Sequence, residues 1–162
     1  MTDVSPVAHA GPRGAAVRIA VIMCSALGIV GCEQPDSELI PDEVLQVQLG
    51  LTVEDRVHTV RVEAGTEERP IPRTVTVRPG DWVQFVSADH FVHEVGFYLD
   101  SLGGAARAFL VRTGQDASPP LVEEDARFVV SFAGAPVGRY PYGLSGNRGP
   151  GWGEIVVEDP PR

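Results

Sequence analysis

Lysine is missing altogether from this chain of 162 residues, and sulfur is scarce, with two cysteines and two methionines. Both cysteines, Cys24 and Cys32, lie near the start, so the part beyond Cys32 has no thiol, no disulfide and no thiolate with which to ligate a metal. All 13 basic side chains are arginine, set against 22 acids, for a net charge of −9. Such a surface repels nucleic acid and anionic lipid headgroups, and favours solubility or a basic partner. Helical periodicity sustained over three turns, internal repeats and low-complexity segments are absent beyond the first 32 residues. Those absences leave one domain of ordinary size.

The exception to the shortage of apolar runs stands at 19–30, twelve residues preceded by Arg13 and Arg18. It is too short for an ordinary membrane-spanning helix and has the length of a signal-peptide core. It ends in Ile29-Val30-Gly31-Cys32, which resembles a bacterial lipobox. That resemblance implies lipidation of Cys32, a membrane as partner through it, and an exported protein anchored at a periplasmic or cell-surface face. The implied organisation is a signal peptide at 1–31, a polar tether at 32–42 and a folded domain at 43–162. Beyond Cys32 there remain 21 acids, only Asp3 being lost, and 11 arginines, a net charge of about −10.

From residue 43 the pattern predicts strands. Apolar residues alternate at 44–49 and in part at 57–62, while Gly65-Thr-Glu-Glu-Arg-Pro70-Ile-Pro72 reads as a break. Strands at 73–77 and 82–86 flank the turn Arg78-Pro79-Gly80-Asp81. His93, Val95 and Phe97 share one parity, as do Phe128, Val130 and Phe132. Residues 107–112 read as a strand, with a helical turn at 105–108 as the alternative. The expected core is Val75, Val77, Val83, Phe85, Val95, Phe97, Phe128, Val130, Phe132, Tyr140, Tyr142, Ile155 and Val157. Short strands separated by turn signals predict an all-β sandwich.

The stretch that carries a site is Gly138-Arg-Tyr-Pro-Tyr142-Gly-Leu144-Ser-Gly-Asn147-Arg-Gly-Pro-Gly-Trp152-Gly-Glu-Ile-Val-Val157, an aromatic strand, a Gly/Pro-rich loop and a returning strand. With Val77-Arg-Pro79-Gly80-Asp81-Trp82-Val83-Gln-Phe85 and Ser87-Ala-Asp89-His-Phe-Val-His93-Glu-Val95, it resembles the cupredoxins, the plastocyanin-like blue-copper domains. The resemblance implies an all-β, cupredoxin-like Greek-key β-sandwich after an N-terminal signal segment. It places His93 at the first copper-ligand position. Leu144, Asn147 and Trp152 stand where the family has its Cys, His and Met. A blue-copper centre needs a thiolate, which the part beyond Cys32 lacks, so no cofactor is expected and the site is read as a degenerate ligand set. The leading functional reading is a binding or interaction module, not an enzyme, with a protein partner at the loop end of the sandwich. The alternative keeps the family's copper-binding or electron-transfer role and uses His93 with His90 or Asn147.

Individual residues carry further expectations. Leu144 fills space as core. Asn147 both donates and accepts, and is expected to pair with the His93 imidazole. Trp152 either caps the corner with its N–H turned to a partner, or stands exposed as an interface anchor. His90 and His93, three apart on a strand, point to opposite faces unless the chain turns at Phe91 and Val92; Asp89 and Glu94 are near enough in sequence to add a carboxylate. Gly143-Leu-Ser145-Gly-Asn147 approaches a serine-hydrolase elbow but lacks its last glycine and its strand-to-helix setting, which leaves Ser145 a turn residue. Glu123-Glu124-Asp125 shows no calcium-loop pattern. His58 and His9 carry no specific signal.

Overall fold

The computed structural model describes residues 39–160. The expected signal peptide at 1–31, Cys32 and most of the expected tether fall on residues outside the described ones. Among the described residues, eight strands form two four-stranded sheets packed face to face, with two short α-helices and a 3-10 turn at Leu99–Ser101. The strands are β1 (Val57–Ala64), β2 (Glu68–Ile71), β3 (Thr74–Val77), β4 (Trp82–Ser87), β5 (His93–Phe97), β6 (Arg127–Ser131), β7 (Gly138–Gly146) and β8 (Gly151–Val157). The sheet orders are β2-β1-β4-β6 and β3-β8-β7-β5. Two neighbours, β1 with β4 and β3 with β8, run parallel, and the other pairs are antiparallel. The all-β sandwich expected from strand parity is what forms.

Period-2 patterning explains the core. Val60, Val62, Val83, Phe85, Val130 and Phe132 of the first sheet face Val75, Val77, Val95, Phe97, Tyr140, Tyr142, Leu144, Ile155 and Val157 of the second, all buried. Phe85 meets Tyr142 edge-on at 4.9 Å between centroids, and Phe132 meets Tyr140 at 5.4 Å. Burying each such side chain contributes about 1.5–3 kcal/mol against chain entropy. Phe128, expected inside, is only partly buried and stacks on Phe85 at 6.1 Å.

Two segments expected as strands are helices. Residues 44–49 belong to α1 (Glu43–Leu49), because the Asp42 carboxylate accepts from the Leu45 N–H at 3.0 Å and Gly50 closes the end in the left-handed region. That end chemistry prevails over a weak Val/Gln alternation, and Leu45 packs with Leu51, Val57, Trp82 and Val129 on the outer face of the first sheet. Residues 107–112 lie in α2 (Gly104–Thr113), which buries Ala106, Phe109 and Leu110 against the core, positions spaced for one helical face. The segment read as a break contains β2, paired with β1 from Arg61↔Ile71 to Ala64↔Glu68. That short strand brings the site together.

Candidate functional site

Three chain segments converge where β1 and β4 finish. His93 opens β5, and its side chain is fully buried. Its Nδ1 lies 2.5 Å from Oε2 of Glu68, the first residue of β2, and its Nε2 lies 2.9 Å from Oδ1 of Asp89, in the loop before β5. A neutral imidazole has one N–H; two flanking carboxylates are both satisfied as acceptors when the ring donates from both nitrogens. Glu68 is as buried as His93, and its Oε1 has no hydrogen-bond partner. Asp89 is better supplied, accepting from the N–H groups of Ala64 and Phe91, each at 2.8 Å. Burial alone would push the Asp89 carboxyl up, but those two N–H groups and the His93 ring outweigh it and hold it below the usual value.

The glycine-rich loop makes this convergence sterically feasible. A Cβ on Gly151 would fall 1.9 Å from the Glu68 carbonyl oxygen, and one on Gly146 would fall 2.0 Å from the Val92 carbonyl and 2.7 Å from Glu68 Oε1. The loop backbone therefore closes directly on β2, with the Glu68 N–H donating to the Gly149 carbonyl at 2.7 Å. What the loop holds is the Glu68 end of β2.

The residues at the other ligand positions go elsewhere. Leu144 is buried in the core opposite Val95. Asn147 does not pair with His93: its Oδ1 accepts from the Val92 N–H at 2.8 Å, tying loop to loop, because Glu68 and Asp89 already occupy the ring. Trp152 does not cap the corner. It stands 53% exposed on the outer face of the second sheet, with the Arg73 guanidinium 4.7 Å from its ring centroid. Phe91 is paired in the same way with Arg148 at 4.6 Å. His90 lies in solvent with its Nε2 3.4 Å from Glu124 and is not brought to His93. Ser145 is an exposed strand residue with its Oγ 3.4 Å from Glu94.

Copper, which the cupredoxin resemblance implies, does not fit these residues. Both His93 nitrogens are engaged by carboxylates on opposite sides of the ring, Leu144 has no donor, and the Asn147 carbonyl is used by backbone. No group of three His, Cys, Asp or Glu among the described residues is placed to hold a metal ion. Sequence reading missed Glu68, which looks like half of a solvated Glu67-Glu68 pair; the one available signal was its place between a turn glycine and two prolines.

His58 carries a second imidazole–carboxylate pair at the opposite end, its Nε2 2.8 Å from Asp81 Oδ2. The Arg78 N–H donates to the same oxygen at 3.0 Å, and Arg56 lies 3.8 Å from the other. The pair borders an open cleft of about 260 Å³ that also includes Glu158 and Asp159.

No protein-family model and no curated protein matches the chain. Among solved structures it is similar to amicyanin from Paracoccus versutus, with 18% identity over 68% of this chain and 87% of that one, at a TM-score of 0.44. It is similar also to the reduced state of a mutant amicyanin, with 20% identity over 63% and 82%, at a TM-score of 0.43. With oxidized plastocyanin from Dryopteris crassirhizoma it shares 19% identity over 60% and 99%, at a TM-score of 0.45.

Proposed function

We propose that this chain is an exported binding module, anchored to a membrane through lipidated Cys32, whose cupredoxin-like sandwich serves as a scaffold for contact with a protein partner. The observation that carries the reading is the double engagement of His93. A ring held at both nitrogens by Glu68 and Asp89 ties segments together rather than offering a ligand. Trp152, on the outer face of the second sheet, and Phe91, in the loop before β5, stay exposed, each with a guanidinium over its ring. Exposed aromatics paired with arginine have the composition of interface anchors. The acid excess of the whole chain favours a basic partner. No catalytic role is assigned, since Ser145 lies on a strand with no nucleophile elbow, and its neighbour is the exposed Glu94 carboxylate at 3.4 Å with no histidine between them.

The test is capture of partners from solubilised membranes by the full chain, alongside Trp152→Ala, Phe91→Ala and a distant control, Val137→Ala. The reading expects at least about a tenfold loss for one of the two aromatic variants, the scale of a hot-spot residue. Equal capture by all four proteins contradicts it. A stoichiometric, His93-dependent uptake of copper would favour the electron-transfer alternative instead.

A further inference from the structure

Helix α1 buries only Leu45 and turns much of the rest of its apolar surface outward. Val44 and Val47, three apart, share its solvent side with Glu43, and Val47 is 78% exposed; Leu49, four residues after the buried Leu45, lies on the opposite side of the helix, and Ile40 and Val53 are exposed in the flanking segments. No described side chain covers these residues. The chain before the helix says what does. On the reading of Cys32 as the lipidated residue, only 33–38 separate the anchor from the described domain, and at full extension that stretch reaches about 25 Å. An apolar patch tethered this close to a bilayer meets it at high effective concentration, so weak burial suffices for contact.

We propose that the outer side of α1 rests on the bilayer that holds the Cys32 acyl chains. This inference depends on the lipid anchor and adds an orientation to it. The flanking carboxylates of Glu43, Glu54 and Asp55 set the lipid chemistry, repelling anionic headgroups and leaving a zwitterionic surface as the one on which the valines settle. Because α1 covers the outer face of the first sheet while Trp152 lies on the outer face of the second, this placement turns Trp152 away from the membrane, toward a partner.

The absence of any other thiol beyond Cys32 permits a direct test. The full chain, processed in bacterial membranes, is purified as Val47→Cys and separately as Trp152→Cys. Each is labelled with an environment-sensitive fluorophore and reconstituted in phosphatidylcholine vesicles, with and without phosphatidylglycerol. Residues 33–162 carrying the same labels and made without the leading segment, so that neither Cys24 nor an acyl chain is present, serve as unanchored references, and mass spectrometry reads the acyl group on Cys32 of the full chain. The proposal expects a blue shift at 47 in the acylated protein on phosphatidylcholine, none at 152, and a smaller shift as phosphatidylglycerol increases. An acylated protein whose label at 47 emits as in the reference overturns the orientation and leaves the anchor standing. A chain without acyl groups overturns the anchor, and the orientation with it.

Discussion

The two ends of this sandwich carry the same chemical pair, an imidazole and a carboxylate, in opposite settings. At one end His93 is out of solvent and touches two carboxylates contributed by different segments, Glu68 from β2 and Asp89 from the loop before β5. At the other, His58 keeps part of its edge in solvent and touches one, Asp81, beside two arginines and an open cleft. Burial and partner number separate the roles. Removing the His93 ring leaves a buried carboxylate uncompensated and cuts the tie between two segments, whereas removing the His58 ring leaves Asp81 with a backbone N–H, Arg56 and water.

The largest expected effect follows from that contrast. His93→Ala should lose about 3–5 kcal/mol of stability, the cost of removing one partner from a buried pair, while His58→Ala should lose about 1 kcal/mol. Urea unfolding of the two variants measures both, and equal losses would erase the distinction between the ends. A second effect comes through the backbone. Gly151→Ala should destabilise by about 1–3 kcal/mol, since its Cβ would collide with the Glu68 carbonyl. Gly96→Ala, at a strand position with open space around it, should change little. The smallest effect is in acid. The Asp89 carboxyl is held below its ordinary value of 3.8 in the folded protein, so its contribution is present above that value and is lost as pH falls through the folded one. Asp89→Asn should therefore flatten the acid limb of the stability profile, as read by unfolding midpoints between neutral pH and pH 2. Asp81→Asn serves as the comparison from the other end.

Much of the sandwich was legible because it rests on period 2. Val130 and Phe132, Tyr140 and Tyr142, and Ile155 and Val157 announce their parity locally, and all are buried. The helices were less legible, because α1 shows a short alternation and its decisive signals are the flanking Asp42 and Gly50. The site was legible in half. His93 could be placed from its motif, and Asp89, four residues before it, was within view. Glu68 stands 25 residues away in sequence on a strand read as a turn, and no local pattern reports a pairing made only when the loop at 146–151 closes over β2. Asn147 illustrates the same boundary. Its donor and acceptor groups could be inferred, but whether they meet a ring or a backbone N–H depends on what else has already filled the ring.

The central claim is that carboxylates, not a metal, hold the imidazole of His93. Thermal unfolding of the domain with and without one equivalent of copper tests it most directly, because any ligand that binds only the folded state raises the midpoint. The account predicts an unchanged midpoint in the native protein, and a large drop in Glu68→Ala that copper fails to restore. A midpoint that climbs with stoichiometric copper, and ceases to climb in His93→Ala, would contradict it.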